Sequence, residues 1–349
     1  MKFKVFGRNS GLRVSELALG TGNFGTGWGH GAEPEEAKKI FDQYVSAGGN
    51  FFDTANAYQR GESESLLGDF IASDRDQFVV ATKYSNATAP DAGISRTGNS
   101  RKNMVRAVEE SLKRLKTDRI DLYWVHISDG VTPMEEILRG LDDLVRSGKV
   151  IYAGLSNFPA WRIARADLMA DLKGWSPIIG IQIEYSLAER SPDRELIPMA
   201  ESLGLGITTW SPLGGGFLTG KYREHHMDTR LTKLGMLVHT EKSEKETELL
   251  NMILSIADEL GASPTHIAIA WLLDKAARST TSIIPILGPR TVEQLDATLG
   301  ALDISLPPEM VARLDAASAV ALGVPHEQIN SSYRSLSGGN DLQVLIKPA

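Results

Sequence analysis

The sequence contains no cysteine among its 349 residues. This excludes disulfides, thiolate nucleophiles and cysteine-ligated zinc, and it agrees with a reducing compartment. A run rich in lysine or arginine is also missing, and 37 basic residues against 44 acidic ones leave a formal net charge of -7. No electrostatic footprint for nucleic acid or an anionic membrane is therefore expected, and a small or neutral molecule fits better as the partner. No stretch approaches the roughly 18 apolar residues of a membrane span, and no long apolar segment follows Met1-Lys2-Phe3-Lys4-Val5 as it would in a secretory signal. The expected location is cytoplasmic, and nothing in the composition specifies an oligomeric state.

What is present is ordinary globular usage, 42% hydrophobic and 23% charged, in a chain long enough to bury a large core. Short apolar runs alternate with amphipathic helix patterns: Leu17–Leu19, Asn50–Asp53, Phe78–Lys83, Asp121–His126, Ile151–Ser156, Ile179–Ile183, Ile207–Trp210 and Ser282–Leu287. Their ends recur at βα-unit spacing until the last gap, which holds the polar stretch Tyr222–Glu244 and helix patterns at Glu246–Leu260 and Pro264–Ala276. Eight such units predict a single (β/α)8 barrel domain spanning residues 1–349, with its core at about 16–302. A small hairpin is expected before it, from Phe3–Phe6 and Arg13–Ser15, and a helix after it at Leu306–Ala316. The tail from Gly323 reads as a polar loop that folds over an active-site face.

Helix starts are marked by side chains that satisfy free amides. Thr132 with Glu135 and Thr291 with Gln294 read as capping boxes, and Ser263 followed by Pro264 reads as an N-cap with proline at the first helical position.

In a parallel barrel the C-terminal strand ends face one mouth, so Asp53, Lys83 and His126, closing three successive strands, become neighbours there, and Tyr58 follows on the loop after Asp53. A free tyrosine has a pKa near 10, and a nearby cation is expected to lower it. Lys83 supplies that cation, Asp53 keeps the lysine charged, and His126 offers a donor for a carbonyl oxygen. Such a proton-transfer device suits reduction of a carbonyl by a bound hydride donor.

These residues carry a resemblance. The run Asp53-Thr54-Ala55-Asn56-Ala57-Tyr58, followed by Gly61 and Ser63-Glu64-Ser65-Leu66-Leu67-Gly68, and the placement of Lys83 and His126 are similar to the aldo-keto reductases, from about Leu12 to Leu302. The resemblance implies a catalytic tetrad of Asp53, Tyr58, Lys83 and His126, with Tyr58 as general acid for reduction and His126 also touching substrate. It implies that Ser156, Asn157 and Gln182 hold a nicotinamide carboxamide and that Trp210 stacks on its ring. Ser211, Leu213, Gly214, Gly216 and Lys221 are then expected around a pyrophosphate. Gly288, Arg290 and Gln294 are expected on the adenosine side, with Arg290 indicating a 2'-phosphate, hence NADPH/NADP+, NADH being the other possible donor. The first loop lines the substrate pocket in that family, which makes Trp28 a substrate contact. Two segments depart from the family's pattern: Ala297-Thr298 stand where a Glu-Asn pair is frequent, and Ile127-Ser128 where a bulky aromatic is common.

Other readings compete. The family includes channel-associated β-subunits, so an NADP(H)-binding sensor or interaction subunit with little turnover is an alternative, as is a Schiff-base aldolase using Lys83. Gly20-Thr21-Gly22-Asn23-Phe24-Gly25 matches G-x-G-x-x-G after a strand, but Thr26-Gly27-Trp28-Gly29-His30-Gly31 cannot start a helix. Asp53 also lies further on than the roughly 20 residues a Rossmann ribose acid requires. His225 and His226 read as a solvated pair rather than a metal site. The substrate expected is a small carbonyl compound.

Overall fold

The computed structural model describes residues 1–224 and 239–339, and in it eight parallel strands close into a barrel. β1 (Phe3–Val5) and β2 (Arg13–Ser15) form a separate antiparallel hairpin. The barrel strands are β3 (Ala18–Gly20), β4 (Phe51–Asp53), β5 (Val79–Tyr84), β6 (Ile120–Val125), β7 (Val150–Ser156), β8 (Ile178–Glu184), β9 (Gly206–Trp210) and β10 (Ile283–Leu287). They pair in chain order, and β10 closes onto β3. Helices lie between them, among them α1 (Pro34–Ser46), α2 (Glu62–Ile71), α3 (Arg101–Arg114), α4 (Met134–Arg146), α5 (Ala160–Lys173) and α6 (Leu196–Leu203). The architecture is the (β/α)8 barrel expected from the strand rhythm. Among the described residues no helix is long and apolar enough to cross a membrane.

Strand alternation decides what reaches the barrel interior. Phe51 on β4, Val79 and Ala81 on β5 and Leu122 and Trp124 on β6 share one buried cluster inside the barrel, whereas Phe52, Val80 and Tyr123 join the larger cluster beneath the helices. Continuing the inward face by two residues brings Asp53, Lys83 and His126 to one level at the C-terminal mouth. The other end is closed by the hairpin: Phe6, fully buried, meets the rings of Phe51 and Trp124 edge-on at 6.0 and 6.4 Å. A Cβ on Gly180 would stand 2.5 Å from the Phe6 ring, so β8 must be bare there for the plug to seat.

The helix signals fare unequally. Ser263 caps the helix Pro264–Arg278 as expected, and His266 completes a reciprocal box with it. Thr291 accepts from the Gln294 amide at 3.3 Å, while the Gln294 side chain reaches one residue further back than expected, to the amide of Arg290 at 2.9 Å. The Thr132 box is not formed. Helix α4 begins after Pro133 with no side-chain cap, because the Thr132 hydroxyl instead donates to Asp129 at 2.6 Å and Glu135 pairs with Arg165 at 2.8 Å. The tail is also corrected: a helix, His326–Leu336, stands where a polar loop was expected, with none of its residues buried. His225 and His226 lie outside the described residues.

Candidate active site

At the mouth, β4 ends on Asp53, which is 2% exposed, and β5 presents Lys83, which is wholly buried. The Lys83 ammonium donates to Asp53 Oδ1, to the carbonyl of Thr54 at 2.8 Å and to Tyr58 Oη at 3.3 Å. Its three protons are thereby directed at three oxygens. The second Asp53 oxygen, Oδ2, accepts from Gln182 Nε2 at 2.9 Å, so the carboxylate is fixed from β5 and from β8 together. Burial pulls the Lys83 pKa down, but the charges and hydrogen bonds of Asp53 and Tyr58 outweigh it, and the net shift is upward. The lysine is held as a cation.

Tyr58 follows β4 on a short turn and is half-buried. Its pKa is raised, contrary to the lowering that a neighbouring cation predicts. Burial is the largest cause, Lys83 opposes it, and the Asp53 charge adds to the rise. At neutral pH the phenol therefore carries its proton. Lys83 has donors only, so its bond to Oη uses a phenol lone pair and leaves the phenol O–H for another acceptor.

His126 stands edge-on to Tyr58, with ring centroids 5.9 Å apart. Burial first, and then the Lys83 charge, lower its pKa from the ordinary 6.5 to about 3, so the imidazole is neutral. Its Nδ1 lies 3.3 Å from the amide nitrogen of Asn86. With that amide donating to Nδ1, the ring proton sits on Nε2 and is free to be donated. Asn86 was missed by sequence reasoning. Its signal is its place three residues past Lys83, beside Ser85, a non-glycine residue at φ +122°.

The remaining expected residues form a rim. Asn157, at the left-handed φ of +54°, joins three strand ends: its Nδ2 donates to the His126 carbonyl and to Ser156 Oγ, both at 3.0 Å, and its Oδ1 accepts from Trp210 Nε1 at 3.2 Å. Ser156 and Gln182 are buried beside it and Trp210 is half-buried. The chain then turns at Ser211 (φ +53°) through Leu213 into Gly214, Gly215 and Gly216, at φ +57°, +67° and +97°. Tyr222 Oη donates to the Gly215 carbonyl at 2.8 Å, and His239, which hydrogen-bonds Glu184 at 3.0 Å, donates its amide to the Gly214 carbonyl at 3.2 Å. After β10, Gly288 is exposed, Arg290 is half-buried, and Gln294 lies in the first turn of the helix Val292–Leu299. Asn23 of the first loop donates to the Gly288 carbonyl at 2.9 Å, which ties together the loops after the neighbouring strands β3 and β10. Trp28, 42% exposed, meets the Tyr58 ring edge-on at 6.0 Å. Left-handed non-glycine residues, disfavoured by sterics, thus cluster at this mouth: Gln59, Arg60, Ser85, Asn157 and Ser211.

The residues present fit a nicotinamide dinucleotide. Of three successive left-handed glycines, Gly215 and Gly216 leave partly open backbone that side chains would cover, and a Cβ on Gly216 would stand 2.9 Å from the Lys221 ammonium. Backbone without side chains beside a lysine, with a capped helix starting after the neighbouring strand β10, suits a diphosphate.

Known proteins resemble the chain over most of its length. A model of the aldo/keto reductase family matches residues 16–319. An uncharacterized oxidoreductase of Bacillus subtilis, YrpG, is 39% identical over 90% of this chain and 95% of its own length. An aryl-alcohol dehydrogenase (NADP+) of Phanerodontia chrysosporium is 36% identical over 97% of this chain and 90% of its own, and a norsolorinic acid reductase of Aspergillus flavus is 34% identical over 97% and 88%.

Proposed function

The chain belongs to the aldo-keto reductase family and is a nicotinamide-dependent oxidoreductase acting on carbonyl or alcohol groups; on that premise we propose that it is an NADPH-dependent carbonyl reductase in which Tyr58 protonates the substrate oxygen. One observation carries the reading. Lys83 is held charged by Asp53 and points the same ammonium at the Tyr58 oxygen, so the group that loses a proton has a fixed cation beside it.

When bound, the nicotinamide supplies or accepts the hydride. The chain's own residues do the rest. Burial keeps Tyr58 protonated before reaction, and the Lys83 charge stabilises the phenolate left after it, an interaction stronger once the proton has moved. Neutral His126, with Nε2–H available, donates to the same carbonyl oxygen and orients it. The reverse oxidation uses the same groups with Tyr58 as base. Arg290 at the helix start supports a 2'-phosphate and hence NADPH. The Trp28 ring beside Tyr58, together with the names of the aryl-alcohol and norsolorinic acid relatives, supports aromatic carbonyl compounds as the substrate class.

An aldolase is disfavoured by the same geometry. A Schiff-base lysine must shed its proton near neutrality, and the shift of Lys83 runs the other way. Oxidation of NADPH and of NADH against a panel of aryl and aliphatic carbonyls tests the proposal. Repeated turnover, faster with NADPH and with aryl aldehydes, is expected. Tight NADPH retention with one slow turnover would overturn it in favour of a nucleotide sensor.

A further inference from the structure

The G-x-G-x-x-G run of the first loop has no dinucleotide role in a barrel, yet its glycines are closely engaged. Gly22 lies where a Cβ would rest 3.6 Å from the Tyr58 ring. Gly25 (φ +99°) lies where a Cβ would fall 2.5 Å from the Glu62 carboxylate, and Gly27 where it would fall 2.4 Å from the Gln59 carbonyl. The loop therefore lies directly on the turn that follows Tyr58, and at Gly25 and Gly27 only bare backbone fits between them.

Two side chains of that turn hold the loop. Gln59 is 1% exposed, and its Oε1 accepts from the Trp28 amide at 2.9 Å while its Nε2 donates to the Gly22 carbonyl at 3.0 Å. Glu62 Oε2 accepts from the amides of Thr26 at 2.8 Å and Gly27 at 3.0 Å. Three consecutive amides, Thr26, Gly27 and Trp28, are thus spent on residues one and four positions beyond Tyr58. The turn itself is unusual, since Gln59 (φ +48°) and Arg60 (φ +59°) are both left-handed without being glycine. Because the clamp and the phenol share one short stretch of backbone, the Trp28 ring is referenced to Tyr58 rather than to the barrel at large.

We propose that Gln59 and Glu62 are positioning residues that hold Trp28 as a wall beside Tyr58 and thereby set a preference for flat aromatic carbonyls. The inference rests on the carbonyl-reductase reading. A ring sliding beside Trp28 places its carbonyl at Tyr58 Oη, whereas a small aliphatic aldehyde gains little from the wall. Gln59→Leu keeps the bulk and removes both hydrogen bonds, one of which holds the wall's own amide.

The test uses the full chain with benzaldehyde and propanal as substrates. Acrylamide quenching of Trp28, isolated by difference from Trp28→Phe, reports the loop without needing turnover. In Gln59→Leu the ratio of kcat/KM for benzaldehyde over propanal falls about tenfold, equivalent to roughly 1.4 kcal/mol, and the loss sits in KM for benzaldehyde. Trp28 becomes more accessible to acrylamide, and adding Trp28→Ala produces little further loss of selectivity. Glu62→Ala shifts both readouts in the same direction, and Glu62→Gln, which retains a carbonyl oxygen for the two amides, shifts them less. Equal loss for both aldehydes, or unchanged Trp28 quenching in Gln59→Leu and Glu62→Ala, overturns the proposal. Failure of the wild-type protein to turn over either aldehyde sinks the carbonyl-reductase reading and the specificity claim with it, while quenching still decides whether Gln59 holds the wall.

Discussion

At the scale of single residues, the candidate site holds three neighbouring groups in different protonation states. Near neutral pH Lys83 is a cation, Tyr58 a protonated phenol and His126 a neutral ring, and burial is the largest cause acting on each of the three. Asn86 sets which nitrogen of His126 faces outward, and this yields a pH prediction. Between pH 5 and 8 the wild-type kcat/KM shows no ionisation of His126, since its pKa lies near 3. In Asn86→Asp the carboxylate accepts from Nδ1–H, which raises the His126 pKa and leaves a neutral ring with a lone pair on Nε2. Only the imidazolium then donates, so kcat/KM in that variant rises as pH falls through the raised pKa. A flat profile in Asn86→Asp contradicts the assigned tautomer. Stability follows the opposite sign in the wild type. Between about pH 6.5 and 3 the unfolded chain binds a proton that folded His126 refuses, so this residue costs stability as pH falls through that window. That Asp53, Lys83 and His126 come together was legible in the sequence, because strand alternation and chain order alone align them. The direction of the Tyr58 shift was not, because the burial of a loop residue depends on Trp28 and His126, which come from other units of the chain.

At the scale of elements, a buried carboxylate braces the turn that carries Tyr58. Glu64 on α2 is wholly buried, and it accepts from Thr82 of β5 at 2.5 Å and from Arg114 of α3 at 2.7 Å. Removing the arginine leaves an uncompensated charge in the interior, so Arg114→Met is expected to cost roughly 3–5 kcal/mol in urea unfolding. A cost below about 1 kcal/mol means that Thr82 suffices. Helix boundaries were legible where the cap has no competing partner, as at Ser263. They were not where a third residue captures the cap, as Asp129 captures Thr132. The helix His326–Leu336 was missed because its apolar residues, Ile329, Tyr333 and Leu336, stand at helical spacing within a strongly polar segment, and all three remain exposed.

At the scale of the whole molecule, the barrel carries its plug and its candidate site at opposite ends. Phe6 plugs the N-terminal end beneath Trp124, and the polar mouth lies at the other. Phe6→Ala is therefore expected to destabilise the protein by roughly 3–5 kcal/mol while leaving NADPH affinity intact, as read by denaturation and nucleotide fluorescence. Loss of affinity in step with stability would mean that the ends are coupled. The barrel itself was legible because eight strand ends recur at unit spacing. The plug was not, since the hairpin's sequence gives no sign of which end it closes. The central claim is that the phenol of Tyr58 handles the proton, and steady-state reduction by Tyr58→Phe tests it most directly. The variant keeps the ring and removes the hydroxyl. With NADPH still bound, kcat is expected to fall at least about a hundredfold, the lower end of what general acid catalysis contributes; turnover near that of the wild type would contradict the assignment.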